Sequence, residues 1–330
     1  MGDKHPLARL VTAAGLALAA TLWAGGACAQ GYPQRAVRLI VPFAAGGTTD
    51  TLGRFLAQPL TERLGQQVVV ENRGGGGGIV GSEAAARAQP DGYALLLGSA
   101  ESFGMTYGIA KRLGYNPEKD LVPVTMIARA PNAFVVHPSL KAHTLKELIG
   151  LARAHPGALH FGSPGVGSNP HLIGELFKTR FKLDLVHVPY KGGGASIIDL
   201  MSGQIETLVT GLATVAPRHA AGRARALAMT GSARSPLLPE VPTMAEAGAG
   251  DFVLGALFGV FVPAGTPPEA IARLGRELGA ITQAPDFRKR LAEIGQETTE
   301  PLAGAAFGRY MLGEVKRWRE LAELAGVREE

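Results

Sequence analysis

Short, almost continuously apolar runs alternate along this chain with amphipathic helical patterns, and this alternation constrains the fold most. Runs of this kind are typical of parallel strands that are covered on both faces. Repeated strand–helix–strand units join such strands by right-handed crossovers into an open, doubly wound sheet, so we predict an α/β fold. The strand candidates form two sets: residues 37–43, 67–72, 93–99 and 123–128, followed by residues 133–137, 158–163, 185–190, 207–211 and 226–231.

One more apolar segment and two helical patterns follow the second set. The strand candidate is residues 252–262, Thr266 is expected to cap the next helix, and the last helical pattern covers residues 307–324. One open sheet of about ten strands would reach the usual upper limit for such sheets, so two lobes fit better. If the last part returns to the first lobe, the chain crosses between the lobes twice, as in a hinged binding protein. The periodicity alone leaves that return open.

The first 29 residues have the layout of a secretory signal peptide, with Lys4 and Arg9 before an apolar run and small residues at its end. We therefore predict export and cleavage after Ala29. A membrane anchor and lipidation of Cys28 are the alternatives, although Gly25 stands where a lipoprotein signal has leucine. Cys28 is the only cysteine, so the mature chain has neither a disulfide nor a thiol nucleophile.

Five consecutive glycines at residues 74–78 form the most conspicuous motif, and residues 76–81 fit the dinucleotide fingerprint G-x-G-x-x-G. Two features speak against a cofactor. Three polar residues, 71–73, lie between the apolar part of the preceding strand and the glycines, and the second strand carries them rather than the first. We therefore predict no cofactor and keep an NAD-dependent enzyme as the alternative.

Two quieter loops combine glycines and hydroxyl groups with a helix start, at residues 42–50 and residues 162–171. Glycines let the backbone approach a ligand, and free N–H groups at a helix start favour an anion. Because ligands bind outside the carboxyl ends of strands in open α/β sheets, we expect the two loops to face one another across a cleft. An anion could then be held from both sides without an arginine.

Catalytic and nucleic-acid-binding signatures are absent from the sequence. It contains no G-x-S-x-G nucleophile elbow, no H-E-x-x-H motif and no Cys/His cluster, so we predict no metal and no enzymatic activity. A hydrolase without a known motif stays an alternative. The net charge of +5 is scattered rather than concentrated in a block, which gives no support to a nucleic-acid partner.

Several long stretches, taken in order, match one family over essentially the whole mature chain. They are VPFAAGGTTDTLGR (41–54), GQQVVVENR (65–73), AQPDGYALLLGS (88–99), GSPGVGSNPHL (162–172), VPYKGGGAS (188–196), RALAMTGSARSPLLPEVPTMAEAG (225–248) and VPAGTP (262–267). In these stretches the chain resembles the periplasmic solute receptors of tripartite tricarboxylate transporters, the Bug or TctC family.

This resemblance implies a type II periplasmic-binding-protein fold, in which two doubly wound lobes are joined by a hinge of two crossovers. Residues 30–130 and 251–330 would form lobe one, and residues 131–250 lobe two. The implied function is capture of a small organic carboxylate by a periplasmic monomer that then meets a membrane permease; a sensory receptor for a membrane kinase is the alternative. The residues expected at the ligand are Phe43, Ala45, Gly46, Gly47, Thr48, Asp50, Ser99, Ser102, Ser163, Gly165, Gly167, Ser168, Asn169 and Thr210.

Three positions depart from the family pattern. Thr210 replaces an aspartate that can pair with a ligand ammonium group, which argues against an amino-acid ligand. Leu257 replaces a tryptophan, so we expect a less aromatic pocket wall. Glu101 stands among residues that are small and polar in relatives, and a carboxylate facing the pocket would repel a second carboxylate.

Overall fold

The computed structural model describes residues 31–100, 102–103, 113–250, 252–297 and 301–326. The predicted signal peptide with its cleavage site and the question of where Glu101 points lie outside the described residues. Within the described part, no helix has the length and apolar character needed to cross a bilayer.

The strands confirm the predicted alternation, with ends that differ from the prediction by a few residues. They are β1 (Val37–Val41), β2 (Val68–Asn72), β3 (Ala94–Ser99), β4 (Leu121–Val136), β5 (His160–Ser163), β6 (Val186–Pro189), β7 (Thr207–Gly211), β8 (Arg225–Met229) and β9 (Gly255–Pro263). One prediction was wrong, because the two candidates at residues 123–128 and 133–137 are the single long strand β4.

Strand β4 connects two sheets. Its first part pairs antiparallel with β9 as far as Pro131, which lies opposite Gly255. From Asn132, which lies opposite Gly211, it pairs with β7 and also with β8. The apparent break in the sequence is therefore a change of partner and not an end of the strand. All nine strands are linked by hydrogen bonds through β4.

The first lobe contains the strand order β2-β1-β3-β9-β4, in which β1 is parallel to β2 and β3 and antiparallel β9 is inserted before β4. Strand β9 is the late apolar segment, so the chain returns to the first lobe after building the second. The second lobe contains the end of β4 with β7, β5, β6 and β8, in which β5 is parallel to β6 and β7. The two-lobed α/β prediction is thereby confirmed, and the exact lobe boundaries stay a prediction.

Helices cover both faces of each sheet. They are α1 (Thr48–Leu64), α2 (Ile79–Ala86), α3 (Leu145–Ala154), α4 (Asn169–Phe181), α5 (Gly193–Ser202), α6 (Leu212–Ala220), α7 (Pro268–Gln283), α8 (Pro285–Glu293) and α9 (Gly304–Leu324). In the first lobe, α1, α7 and α8 pack on one face and α2 and α9 on the other. In the second lobe, α3 and α4 cover one face and α5 and α6 the other. The expected Thr266 cap is wrong, because its hydroxyl donates to the Pro263 carbonyl and α7 begins at Pro268.

The last helix, α9, belongs to both cores. Phe307 and Val315 are buried in the first lobe, whereas Trp318 and Ala322, one and two turns later, are buried in the second. Helix α9 therefore connects the lobes in addition to β4 and the segment that leads into β9.

Candidate functional site

A cavity lies where the carboxyl ends of strands from the two lobes face one another, with about 500 Å³ of empty space when the solvent at its open mouth is included. Four segments border it: loop 42–47 after β1, the end of β3, the loop after β5 and the end of β7. Its lining is Phe43, Gly47, Thr48, Thr49, Ser99, Ser102, Ala130, Asn132, Pro164, Ser168, Asn169, Pro170, Gly193, Thr210, Gly211, Ala256 and Phe258.

The cavity brings together eight of the residues expected at the ligand, from both lobes. They are Phe43, Gly47, Thr48, Ser99, Ser102, Ser168, Asn169 and Thr210. Their role in binding stays a prediction, but the expected opposition of the two glycine-hydroxyl loops across one cavity is present. The other six, Ala45, Gly46, Asp50, Ser163, Gly165 and Gly167, lie outside the lining.

Four helices begin at this cavity. Helices α1, α5 and α6 start after Gly47, Gly192 and Gly211, and no side chain among the described residues caps them. Helix α4 starts after Ser168, whose hydroxyl accepts the His171 N–H at 3.4 Å. The first N–H groups of a helix have no partner within the helix and carry its positive dipole end, so the cavity has a positive electrostatic character. Because none of the described lining side chains is charged, these backbone groups supply that character.

A buried pair of carboxamides, Asn132 and Asn169, forms part of the cavity wall. The side-chain N–H of Asn132 donates to the side-chain carbonyl of Asn169, so the point where β4 changes partner is tied to the start of α4. Asn169 is only 3% exposed, and its own Nδ2 has no partner among the described residues. A buried donor without an acceptor costs about 1–3 kcal/mol, and a ligand oxygen would remove that cost. Asn132 was not predicted from the sequence, although it is the only carboxamide in β4.

The rest of the wall is mainly apolar. Phe43 and Phe258 come from the first lobe, together with Ala130 and Ala256 on neighbouring strands β4 and β9. A wall of this kind with a few convergent donors suits a small organic molecule better than a hydrated inorganic ion. The expectation for Leu257 was wrong, because strand alternation turns Leu257 into the first-lobe core while Ala256 and Phe258 line the cavity.

The carboxylate of Asp50 holds the first-lobe loop in place by hydrogen bonds. Its carboxylate, 4% exposed, accepts the Gly46 N–H at 2.9 Å, Nε of Arg54 at 3.1 Å and Nδ2 of Asn72 at 3.0 Å. Burial alone would raise the pKa of Asp50, but these hydrogen bonds and the Arg54 charge hold the pKa below its usual value. Asn72 also donates to the Phe43 carbonyl at 3.0 Å. Asp50 therefore fixes the shape of the loop and does not reach the cavity.

Neutral groups support the second-lobe loop. The Ser163 hydroxyl is 2.7 Å from Nε2 of His187, and the Gly167 N–H donates to Nδ1 of His171 at 3.3 Å. The two imidazoles stack with centroids 4.0 Å apart. Burial, with smaller contributions from nearby positive charge, lowers the pKa of His171 to about 4 and the pKa of His187 to about 3. The Ser168 hydroxyl donates to the Gly165 carbonyl at 2.7 Å, so Ser163, Gly165 and Gly167 form the frame of the loop.

Thr210 lies at the end of β7 and is 1% exposed. Its hydroxyl is close to the start of α5, because a methyl group built on Gly193 would lie 3.1 Å from Oγ1 of Thr210. Within the described residues, no group of three or more His, Cys, Asp or Glu side chains could hold a metal ion.

Comparison with known proteins agrees with this architecture. BugT of Bordetella pertussis (strain Tohama I) is 35% identical over 323 residues, which cover 98% of this chain and 99% of that protein. The structure of the periplasmic binding protein BugD is 33% identical with a TM-score of 0.85, over 90% of this chain and all of that one. A structure of R. palustris Rpa4515 with adipate is 35% identical with the same TM-score and the same coverage.

These likenesses confirm the type II periplasmic-binding-protein fold that the motifs imply. The structural relatives include the periplasmic binding protein BugD and a TctC solute-binding protein from Polaromonas. The family profile described as tripartite tricarboxylate transporter family receptor matches residues 52–327. The chain therefore belongs to the TctC family of tripartite tricarboxylate transporter receptors, which includes the Bug proteins.

Proposed function

We propose that this protein is an exported, monomeric and non-enzymatic receptor that captures a small organic carboxylate in the interlobe cavity. It then presents the closed complex to the membrane permease of a tripartite tricarboxylate-type transporter. Export follows from the N-terminal signal, with cleavage after Ala29. The adipate bound by the R. palustris relative supports a carboxylate ligand.

The observation that carries the proposal is the unpaired amide of Asn169 in an uncharged cavity surrounded by helix starts. A carboxylate offers several acceptor sites and a full negative charge, which matches free N–H groups better than a neutral ligand does. The apolar wall on the first-lobe side accommodates the carbon chain of the acid. Thr210 leaves no carboxylate at the position that could pair with a ligand ammonium, so an amino acid is disfavoured.

Thermal unfolding with a panel of acids tests this proposal. Adipate at about a hundred times its dissociation constant should raise the free energy of unfolding by about 2.7 kcal/mol. Adipamide has the same length without the charges, so it should give no shift. Asn169→Asp places a carboxylate where the free donor stands, and it should weaken acid binding about tenfold or more.

Two outcomes would contradict the proposal. If neither adipate nor any shorter or longer mono- or dicarboxylate shifts the unfolding temperature, the cavity does not bind this class. If NAD instead gives a saturable shift, the glycine run is a cofactor loop and the enzyme alternative gains support. Glu83→Gln, a substitution in helix α2 of the first lobe outside the cavity lining, controls for nonspecific charge effects.

A further inference from the structure

The five-glycine run is in contact with the second lobe. Its last three residues, Gly76–Gly78, form a single turn of 3-10 helix between β2 and α2 in the first lobe. Gly77 has a positive φ of 62° and lies directly against the backbone of Val166 and Gly167 in the second lobe. The strand-to-helix turn that resembles a dinucleotide fingerprint is thus occupied by protein.

This contact has no room for a side chain. A methyl group built on Gly77 would collide with the Val166 carbonyl oxygen and would lie 2.7 Å from the Gly167 carbonyl carbon. Both of these are backbone atoms, so the collision could be relieved only by moving one lobe away from the other. Gly76 has a similar φ of 55°, but its nearest neighbour is Ile79 of its own lobe.

A second backbone contact crosses the cleft nearby. The Ala44 N–H of the first lobe donates to the Lys191 carbonyl of the second at 3.3 Å. A methyl group on Gly194, at the start of α5, would lie 2.8 Å from the Ala45 carbonyl oxygen of the opposite lobe. Gly194 is within a helix and has no positive φ, so alanine there would not strain the backbone.

From these contacts we infer that Gly77 and Gly194 set the equilibrium of lobe closure. The backbone contact that they permit, here called the interlobe contact, joins Gly77 to residues 166–167 and Gly194 to Ala45. It can form only when the lobes come together over the cavity. This inference rests on the proposed function for its effect on affinity, because a receptor whose closed state is less populated binds its ligand more weakly in the same proportion. The effect on lobe distance does not depend on the ligand's identity.

Two variants and two matched controls separate closure from folding. Gly77→Ala and Gly194→Ala should each block the interlobe contact from one side. Gly76→Ala carries the same cost of a left-handed backbone as Gly77→Ala but meets only its own lobe. Gly150→Ala lies in helix α3 with nothing within 4 Å of the added methyl group, and it controls for Gly194→Ala.

Electron–electron distance measurement reports lobe closure directly. Spin labels at Val69→Cys and Val186→Cys, in a Cys28→Ser background, lie on edge strands β2 and β6 at opposite ends of the strand order. Both parent side chains are exposed, at 45% and 42%. The parent and both controls should show a short distance between the two spin labels, either alone or with adipate. Gly77→Ala and Gly194→Ala should lose this short distance. The same two variants should bind adipate about tenfold more weakly.

The possible results separate this inference from the proposed function. If the two variants keep the parent's distances, or if the parent never shows the short distance, the inference is overturned. If adipate and the other acids fail to bind the parent while the variants still lose the short distance, the interlobe contact stands and the carboxylate proposal falls. If Gly77→Ala fails to fold, Gly194→Ala alone tests the inference. This variant should fold, because alanine is compatible with the helical backbone at this position.

Discussion

The two loops that face each other across the cavity both lead from a strand through glycines into a helix, but different side chains support them. The first-lobe loop, residues 42–47, is held by the buried charge of Asp50, whose pKa is lowered by Arg54, Gly46 and Asn72. The second-lobe loop, residues 163–168, is held by a stacked pair of neutral histidines. Acid opposes both supports, because it protonates the carboxylate and the imidazoles, but the ordinary pKa is 6.5 for histidine and 3.8 for Asp50. Mild acid should therefore destabilise mainly the second-lobe loop.

The largest expected effect is a loss of stability in mild acid that originates in the second-lobe loop. The folded pKa of His171 is about 4, below its ordinary value of 6.5, so folding opposes protonation. A group whose pKa is depressed in the folded state contributes stability that is complete above its unfolded pKa and is lost as pH falls toward the folded value. Between pH 6.5 and about 4, the free energy of unfolding should fall by about 3 kcal/mol from His171 alone.

Urea unfolding across this pH range measures that loss. A variant that combines His171→Gln with His187→Phe removes both titrating rings, and its free energy of unfolding should change much less between pH 6.5 and 5. Asp50 contributes in the same direction, but its ordinary pKa is 3.8, so its contribution to stability is lost only at more acidic pH. An equal slope in the parent and the double variant would show that the histidine pair is not the acid-sensitive support.

The next effect concerns the first-lobe loop. Asp50→Asn would replace an acceptor with an amide whose NH₂ group faces the donors of Arg54 and Asn72. We expect a loss of about 2 kcal/mol in the free energy of unfolding at pH 7, because a buried hydrogen-bonded charge is replaced by a donor–donor conflict.

Glu83→Gln is the matched control for Asp50→Asn. Glu83 also pairs with an arginine one helical turn later, Arg87, at 2.8 Å, but its side chain is 30% exposed, against 6% for that of Asp50. Exposed pairs of this kind contribute about 0–1 kcal/mol. Equal losses for the two variants in urea unfolding at pH 7 would mean that Asp50 is an ordinary surface ion pair and that the contrast between the loops does not hold.

Site residues positioned by local sequence could be predicted, whereas those positioned by contacts between distant parts of the chain could not. Thr48, Ser168 and Asn169 were found because a strand end, glycines, a hydroxyl and a helix start follow one another locally. Asn132 was missed because its position depends on β4 exchanging β9 for β7, which are far apart in the chain. The contact of Gly77 with residues 166–167 arises only when two separately built lobes meet, and no local pattern encodes it.

The sequence also did not show on which face of strand β9 each side chain lies. Leu257 was expected in the pocket wall from the family pattern, yet the two-residue period of β9 places Ala256 and Phe258 there. A shift of one residue along a strand reverses the face, so the exact register decides which side chain meets a ligand. Register in turn depends on the pairing of β9 with β3 and β4, which the sequence does not display.

The smallest expected effect tests how far the ligand's charge extends toward each lobe. Thr210 at the end of β7 and Ser99 at the end of β3 line the cavity from opposite lobes, and both are nearly fully buried. Thr210→Asp should weaken adipate binding about tenfold, or about 1.4 kcal/mol, because it adds a like charge at low exposure. Thr210→Asn has nearly the same shape without the charge and should bind close to the parent. Isothermal titration of adipate measures both affinities.

Ser99→Asp and Ser99→Asn extend this measurement to the first lobe. An aspartate that weakens binding on both sides indicates carboxylates near both lobes, as for a dicarboxylate that spans the cavity. If only Thr210→Asp lowers the affinity for adipate, the ligand carboxylate lies at the second lobe, where α4, α5 and α6 begin. The carbon chain would then lie against Phe43 and Phe258. Unchanged affinity in Thr210→Asp would mean that the carboxylate does not approach this strand end, and the helix starts of the second lobe would lose their assigned role.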